Sequence, residues 1–208
     1  SSNNRLRETD ATSYFVQDTI SMDRLTVTVG YRSEEYDKVE NRWDDGVSGS
    51  RTQPKSGYIN KKSSGDYSTT GIGATYDMNE NLKLVAGFHQ GMSPVFNGDA
   101  EEADNIELGF RYNKGTTALE VMYFSSDYAN LVAECKNSNG GDCDPGDTFD
   151  GGEVDVSGLE VDGSMVIEGD GVSFPLALTF TSTDATFENS FDSDYFGVVA
   201  SGDDLPYI

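Results

Sequence analysis

The sequence predicts an all-β chain folded as an antiparallel up-and-down meander. Apolar and polar residues alternate with period two in several segments, which is the pattern of strands whose two faces meet different surroundings. Tight turns and long polar segments alternate between these strands, and helical periodicity is almost absent. Together these observations predict successive hairpins in which each strand pairs with its neighbour in sequence.

The strands are identified by their alternation. From residue 25 to residue 32, the odd positions are apolar and the even positions are small or polar. The same alternation recurs at 82–88, 106–112, 119–123 and 176–180. Each of these segments is therefore predicted to be a strand with one apolar face and one polar face.

The connections between the strands alternate in length. Tight turns containing Asn, Asp or Gly are expected at 21–24, 77–81 and 113–115. Long polar loops are expected at 39–66, 91–104 and 129–151. Because a meander reverses direction at every connection, this alternation places all the long loops at one end of the sheet. Loops of such length are uncommon in compact domains unless they carry function.

Charge limits the partners that the chain can have. It has 208 residues, with 14 Lys and Arg against 37 Asp and Glu, and a formal net charge of −23 at pH 7. No nucleic-acid partner is expected, because phosphate binding depends on clustered cations. Aromatic residues make up 11% of the chain, which is too many for a disordered segment.

Residues that carry catalysis are scarce. His89 is the only histidine, so a histidine-based metal site or a catalytic triad would depend on one residue in a strand pattern. Four aspartates of one loop could bind calcium through their carboxylates, although their spacing is not that of an EF-hand. They are Asp142, Asp144, Asp147 and Asp150. No enzyme and no cofactor are predicted, although the acidic loops could bind calcium.

Two architectures account for period-two alternation: a soluble β-sandwich and the wall of a membrane β-barrel. Arg32, Glu107 and Arg111 fall on the polar face at strand centres, which suits the polar interior of a barrel better than the core of a sandwich. Aromatic residues gather at strand ends, as in the girdles of outer-membrane barrels. These residues are Tyr14, Tyr31, Tyr36, Tyr76, Phe88, Tyr112 and Tyr128.

These features favour the wall of a transmembrane β-barrel with its long loops at one end. The first alternative that stays open is a soluble or surface β-sandwich module that binds calcium or glycan through its acidic loops, and the second is an acidic hydrolase. Detergent-dependent solubility distinguishes the barrel from both soluble alternatives.

One segment of the first long loop is basic although the chain is acidic. Its cations are Arg51, Lys55, Lys61 and Lys62. They either balance charge locally in a solubilising loop or form a rim that attracts an anionic ligand, such as a chelate. These four residues are the candidate substrate-binding residues.

Cys135 and Cys143 are predicted to form a disulfide. Seven residues separate them, and the intervening Asn and Gly residues allow the chain to turn back. That return brings the two α-carbons within the bridging range, and the bond persists in an oxidising compartment. The alternatives are free thiols or a metal site shared with the nearby aspartates.

Several segments resemble a known family. Residues 15–18 (Phe-Val-Gln-Asp) followed by residues 23–32 resemble a barrel hairpin of TonB-dependent outer-membrane receptors. Residues 91–94 (Gly-Met-Ser-Pro) followed by residues 102–112 resemble the loop–strand signature of the same receptors. The resemblance covers nearly the whole chain and is weakest from residue 39 to residue 62.

The most specific resemblance lies in the third long loop. Residues 128–131 (Tyr-Ala-Asn-Leu) continue through the two cysteines to residues 146–154 and 158–160, and this combination is similar to the ferric-dicitrate branch of the family. Residues 202–208 (Gly-Asp-Asp-Leu-Pro-Tyr-Ile) resemble a late segment of the barrel.

The resemblance implies uptake of a ferric chelate, either ferric citrate or another siderophore, across the bacterial outer membrane. The implied partners are the chelate, outer-membrane lipid and the TonB complex, which acts through a plug domain. Residues 1–208 are then expected to be part of a large transmembrane β-barrel with long external loops, a partial barrel of about nine strands against roughly 22 in plugged outer-membrane transporters. The plug and the C-terminus of the barrel are expected to be absent from this segment.

Overall fold

The computed structural model describes residues 4–44, 53–54, 59–93, 100–134, 148–150, 152–193 and 197–205. Its strands are β1 (Asn4–Met22), β2 (Leu25–Asp44), β3 (Gln53–Pro54), β4 (Lys61–Asp77), β5 (Leu82–Ser93), β6 (Glu101–Lys114), β7 (Thr117–Ala129), β8 (Val132–Glu134), β9 (Thr148–Asp150), β10 (Val154–Gly169), β11 (Val172–Phe187), β12 (Phe191–Ser193) and β13 (Gly197–Val199). The described part of the chain contains no helix that is long and apolar enough to span a membrane.

Eight long strands form one antiparallel sheet in the order β1-β2-β4-β5-β6-β7-β10-β11. Each long strand pairs with the next long strand along the chain. The short β3 pairs with the end of β2, and β8–β9 and β12–β13 are separate hairpins. The predicted all-β up-and-down meander is confirmed.

Tight turns connect the strands at one end of the sheet, which we call the turn end. They lie at residues 23–24, 78–81, 115–116 and 170–171. The first three match the predicted turns. Gly115 and Gly171 have φ angles of +59° and +76°, in the region that hairpin turns need and that glycine adopts without steric cost. The long connections therefore lie at the opposite end, the loop end, as predicted.

The strands reach further into the loop end than the sequence pattern indicated. The segments 39–66 and 91–104 were expected to be loops, yet β2 continues to Asp44, β4 begins at Lys61 and β6 begins at Glu101. Polar residues occupy both faces of these extensions, so the contrast between alternate positions disappears although the backbone ladder continues. The loops are therefore shorter than predicted.

The register places side chains in rows across the sheet, with apolar side chains on the same face. One such row consists of Leu25, Tyr76, Leu84, Phe110 and Val121. We call this face the outer face. Its apolar side chains are open to the surroundings, since Leu178 is 63% exposed and Phe180 is 51% exposed.

The opposite face, the inner face, carries Arg32, Glu107 and Arg111, as the alternation predicted. Along β4 from residue 61 to residue 73, the inner-face residues are half-buried and the outer-face residues are exposed. A curved sheet crowds the side chains on its concave side, so this difference indicates that the inner face is the concave one, as in a barrel wall.

Few hydrophobic side chains are buried in the described residues. Val154, Phe187 and Val199 form a small cluster at the loop end, with Phe191 and Leu205 packed against it. This cluster lies away from the outer face, which is left uncovered. A second sheet that would cover that face, as in a β-sandwich, is not present in the ranges that the structure describes.

Candidate functional site

Five cationic side chains lie together on the inner face at the loop end of β1, β2 and β4, and we call them the basic cluster. They are Arg5, Arg7, Lys38, Arg42 and Lys61. The strand register brings them together, because Arg5 pairs with Arg42 and Glu40 pairs with both Arg7 and Lys61. Paired residues of antiparallel strands have Cβ atoms about 4.5–5.5 Å apart. One short stretch of wall therefore concentrates positive charge in a chain whose net charge is −23.

Glu40 lies within the basic cluster and is fully buried, at 0% exposure. Its carboxylate accepts hydrogen bonds from Nε of Arg7 and from Nε of Arg42. Burial alone would raise the pKa of Glu40, but these hydrogen bonds and the charges of the two arginines outweigh it and lower the pKa below the ordinary value. Glu40 is therefore a carboxylate at neutral pH, and it fixes the position of two guanidinium groups.

Lys38 lies on the same face, beside Arg7 and above an aromatic ring. Its Nζ atom is 5.0 Å from the ring centroid of Tyr36, which is within the range of a cation–π interaction. Burial and the positive charge of Arg7 both lower the pKa of Lys38, because each disfavours the charged ammonium. The positive charges of Lys38 and Arg7 are therefore close enough to affect each other.

Two tyrosines follow the basic cluster toward the turn end. The ring centroids of Tyr36 and Tyr67 are 6.5 Å apart, with the rings tilted by 53°. Tyr36 covers Gly65, because a Cβ atom at Gly65 would lie 2.7 Å from the Tyr36 hydroxyl oxygen. Further along, Arg32 donates a hydrogen bond to the Glu34 carboxylate. The inner face thus changes from cations to aromatic rings and then to an ion pair.

The outer face of the same strand ends is acidic. Its carboxylates are Glu8, Asp10, Glu35, Asp37 and Asp66. Asp10 pairs with Asp37, and Glu35 pairs with Asp66, so like charges lie side by side across the strands. A single layer of backbone therefore separates a basic surface from an acidic one.

The structure describes two of the four residues that the sequence analysis proposed for substrate binding. Lys61 belongs to the basic cluster on the inner face, whereas Lys62 lies on the outer face, opposite Val39. Arg51 and Lys55 lie outside the described residues. The assignment of these four cations to a ligand stays a prediction.

Four members of the basic cluster were missed by the sequence analysis, namely Arg5, Arg7, Lys38 and Arg42. They form no local run of charge, since 33 positions separate Arg7 from its partner Glu40. Their spacing was nevertheless informative, because charged residues at positions 38, 40 and 42 fall on one face of a strand. The spacing could be recognised only if β2 continued beyond residue 39. A loop was expected there, so these residues were missed.

A second polar group lies on the inner face of β5, β6, β7 and β10. Arg111 donates two hydrogen bonds to Glu120, with Nε–Oε2 and Nη2–Oε1 distances of 2.8 Å and 3.1 Å. His89, Glu107 and Glu160 line the same shallow cavity of about 360 Å³. Among the residues that the structure describes, no three His, Cys, Asp or Glu side chains are grouped so that they could hold a metal ion.

Other predicted features lie outside the described residues. They are Cys135, Cys143, Asp142, Asp144 and Asp147. Asp150 is the last residue of β9. The disulfide and the binding of calcium therefore stay predictions.

One protein family matches the chain over its whole length. Residues 1–208 match the family described as "TonB dependent receptor-like, beta-barrel". No curated protein sequence matches the chain.

Solved structures share the fold. FyuA, the ferric yersiniabactin uptake receptor from Yersinia pestis, aligns with a TM-score of 0.68 and 16% identity, over 95% of this chain and 30% of that one. The siderophore receptor PiuA from Acinetobacter baumannii aligns with a TM-score of 0.66 and 18% identity, over 96% and 29%. The closed form of Fiu, the ferric-catecholate import receptor from E. coli K12, aligns with a TM-score of 0.64 and 18% identity, over 89% of this chain and 29% of that one.

This chain spans less than a third of the length of those receptors. At these identities the structural similarity shows the fold alone, and the family match supplies the classification. Members of this family are outer-membrane transporters and not enzymes. The family expected from the sequence resemblance is confirmed: the chain belongs to the TonB-dependent receptor-like β-barrel family.

Proposed function

We propose that this chain forms part of the barrel wall of an outer-membrane receptor that takes up a ferric chelate with energy from the TonB complex. The observation that carries the proposal is the sidedness of the sheet. Its outer face presents an exposed apolar band, and its inner face is polar. Such a wall suits a barrel that lies in lipid and encloses a water-filled or plugged passage.

The apolar band supports a crossing of the outer membrane. On β2 it extends from Leu25 to Tyr31, and on β11 from Val172 to Phe180. At about 3.4 Å per residue these stretches measure about 20 and 27 Å along the strand, and the longer one reaches the roughly 9–11 residues of a tilted membrane-crossing strand. Because Phe174 is 57% exposed within this band, lipid is the surrounding in which such a surface is stable.

Aromatic residues mark the borders of the band. Tyr14 and Tyr31 lie on the outer face toward the loop end, with 74% and 47% exposure, and Tyr76 lies near the turn end with 40%. Their amphipathic rings suit the membrane interface. Tyr36 and Tyr128 were also predicted as girdle residues but lie on the inner face. They therefore take no part in the border.

The loop end extends far beyond the band. β2 continues from Arg32 to Asp44, which is about 40 Å of strand at roughly 3.4 Å per residue. In the proposed receptor this extension stands outside the membrane and carries the basic cluster. An incoming chelate meets this part of the wall before it reaches the membrane.

The cargo is proposed from three sources. The similar structures are named as receptors for ferric yersiniabactin, a ferric catecholate and siderophores. The resemblance of the third long loop to the ferric-dicitrate branch supports ferric citrate as the first chelate to test. The basic cluster favours a chelate that carries negative charge.

Iron uptake by the full-length receptor tests the proposal. The receptor is produced in a Gram-negative strain deprived of its own ferric-chelate receptors, and radioactive iron is supplied as ferric citrate, as a ferric catecholate and as a neutral ferric hydroxamate. We expect uptake from at least one chelate, and we expect that uptake to stop in a matched strain without TonB. Uptake from none of the three, or equal uptake without TonB, would contradict the proposal.

Fractionation tests the membrane assignment separately. We expect the receptor in the outer-membrane fraction, soluble only in detergent, and migrating faster on a gel before heating than after it. Recovery as a soluble protein without detergent would instead favour the β-sandwich alternative.

A further inference from the structure

We infer that the outer face of β6, β7, β10 and β11 near the turn end binds one anionic phospholipid, with an acyl chain in a recess over Gly163 and the phosphate at Lys114. The inference rests on the proposed function, since it requires that this face meets lipid. It adds a defined lipid site to a surface that would otherwise contact every lipid equally, and it names the headgroup class that the site prefers.

The recess is an open cavity of about 470 Å³ on the outer face. Gly163 forms its floor, and the strand partners of Gly163, namely Leu119 and Leu178, stand on either side. Met165 and Leu176 line it one step closer to the turn end. Apolar side chains therefore surround most of the recess, which suits the hydrocarbon chain of a lipid.

The glycine at the floor of the recess is required by neither the backbone nor the packing. Residue 163 lies in an uninterrupted ladder with both neighbouring strands, and its φ angle is not positive. A Cβ atom at Gly163 would lie 3.6 Å from Cδ1 of Leu119, which is an ordinary contact, whereas a Cβ atom at Gly158 of the same strand would lie 2.4 Å from the backbone oxygen of Ser182. A glycine inside a strand weakens the strand and often marks the close approach of a ligand. The open space over Gly163 fits that explanation.

A cation stands at the turn-end border of the recess. Lys114 lies four residues beyond Phe110 on the outer face of β6, and it pairs with Thr117, which lines the recess. Thr116 donates a hydrogen bond of 3.1 Å to the backbone oxygen of Val166, which ties the turn after Lys114 to β10. Lys114 is exposed, and no carboxylate in the described ranges forms an ion pair with it. Its charge is therefore available to a phosphate group.

The tilt of the strands brings Lys114 and the recess into line. The outer-face row that begins at Leu25, beside the first turn, ends at Phe180, eight residues from the start of β11 at Val172. In the proposed receptor all the turns meet one membrane surface. At about 4.8 Å between strands and about 3.4 Å per residue, this offset tilts the strands by about 43° from the membrane normal. A line from Lys114 along the normal then passes beside Gly163 after about 10 Å.

Charge determines which lipid fits this arrangement. An acyl chain that extends from a phosphate at Lys114 lies over the recess, and one basic residue near the membrane surface favours an anionic headgroup over a zwitterionic one about fivefold. The outer face at the loop end carries paired carboxylates instead, such as Asp10 beside Asp37, and these repel anionic headgroups. The site is therefore confined to the turn end.

Native mass spectrometry of the full-length receptor in detergent tests the site. The two probes are phosphatidylglycerol, which is anionic, and phosphatidylcholine, which is zwitterionic, with identical acyl chains. We expect the parent receptor to retain phosphatidylglycerol about fivefold more than phosphatidylcholine. Equal retention of the two lipids by the parent would overturn the inference.

Two lysines near the turn end separate the outer face from the inner face. Lys114 is on the outer face, whereas Lys83 is on the inner face, where its Nζ atom lies 3.1 Å from Oδ1 of Asp77. We expect Lys114→Gln to lower the retention of phosphatidylglycerol about fivefold, to the level of phosphatidylcholine, and Lys83→Gln to leave it unchanged. Similar effects of the two variants would refute the headgroup contact.

A larger side chain at Gly163 tests the recess itself. Gly163→Leu fills the recess and should abolish the retention of both lipids. Ala86→Leu is the control, because Ala86 lies on the outer face between Ala74 and Leu108, away from the recess. Heat-modifiable migration on a gel shows that each variant is folded, and Gly163→Ala, whose Cβ atom fits, should give a smaller loss if Gly163→Leu does not fold. Unchanged retention in the folded Gly163 variants would exclude the recess as the chain site.

The outcomes separate this inference from the proposed function. If a chelate is taken up but Lys114→Gln and Lys83→Gln retain lipid alike, the lipid site is refuted and the transport function stands. If no chelate is taken up but lipid retention depends on Lys114 and Gly163 as expected, the transport function fails and the lipid site stands.

Discussion

At the scale of single residues, the structure combines a buried carboxylate with two arginines in a region that lies beyond the apolar band. Burying Glu40 and Arg42 costs desolvation free energy, which is recovered only if each charge keeps its partner. Arg42 is 3% exposed and Glu40 is 0% exposed. The wall at the loop end therefore depends on a polar contact where a soluble protein would use apolar packing.

We predict that Glu40→Gln loosens the loop end of the β1–β2 hairpin. The variant removes the buried negative charge that accepts hydrogen bonds from Arg7 and Arg42, and breaking such a buried ion pair costs about 3 kcal/mol. Hydrogen exchange of the backbone amides near both strand ends should accelerate. Glu35→Gln is the control, because Glu35 lies on the outer face of the same strand and is exposed. Equal protection in both variants would show that the Glu40 contacts contribute little.

The same contact should depend on pH. The pKa of Glu40 is lowered in the folded state, so its stabilising contribution is complete above the ordinary value of 4.5 and is lost as the pH falls through the folded pKa. We therefore expect the difference in hydrogen exchange between parent and Glu40→Gln to disappear in acid. A difference that persists well below that range would contradict the assigned cause.

A second prediction at this scale concerns glycines of the inner face. A Cβ atom at Gly109 would lie 2.1 Å from the backbone oxygen of Val121, whereas a Cβ atom at Gly73 would meet nothing within 4 Å. We expect Gly109→Ala to reduce the yield of heat-modifiable folded receptor several-fold, because the backbone of β7 must shift. Gly73→Ala should fold like the parent, and similar losses in both would refute the steric explanation.

At the scale of strands, each long strand has an apolar outer face and a polar inner face that meet different surroundings. β11 shows this, since its even positions from Val172 to Phe180 are all large and apolar, whereas its odd positions from Ser173 to Thr181 are Ser, Pro, Ala or Thr. The sequence pattern identified this strand because the contrast between faces is strong within the band. It missed the extensions of β2 and β4, because polar residues on both faces give no contrast to detect.

We predict that Leu178→Arg destabilises the folded receptor and that Thr179→Arg is tolerated, although the two residues are neighbours in β11. Leu178 lies on the outer face, where an arginine in the apolar band costs about 2–4 kcal/mol. Thr179 lies on the inner face and donates a hydrogen bond to the Asp162 carboxylate. That carboxylate can form an ion pair with the new arginine. Urea titration of the receptor folded into lipid vesicles measures the free energy of unfolding of both variants. Equal losses of stability would mean that the outer face does not contact lipid.

The disulfide between Cys135 and Cys143 belongs to the third long loop and stays a prediction. Closing so short a loop restricts the unfolded chain by roughly 2–3 kcal/mol. The bond should stiffen the loop more than it stabilises the barrel. Thiol titration of denatured, unreduced protein from the outer membrane checks it, and two reactive thiols would exclude the bond.

At the scale of the whole molecule, the fold follows from information that is local in sequence, whereas the basic cluster does not. Alternation and turn composition predict hairpins, and consecutive hairpins determine the order of a meander. The cluster depends on which residues of β1 and β4 oppose those of β2, and a shift of one residue in register exchanges the two faces. Lys61 and Lys62 are equivalent in sequence, and only the pairing with Glu40 and Val39 distinguishes them.

The meander also determines how such a wall can assemble. Each long strand is hydrogen-bonded to the next long strand along the chain, and no pairing within the described sheet joins distant strands. Closing a short stretch of chain costs little entropy, so each hairpin can form before the next strand arrives. We expect assembly to proceed as a sequence of additions, in which a defect in one hairpin halts the strands that follow and spares those already in place.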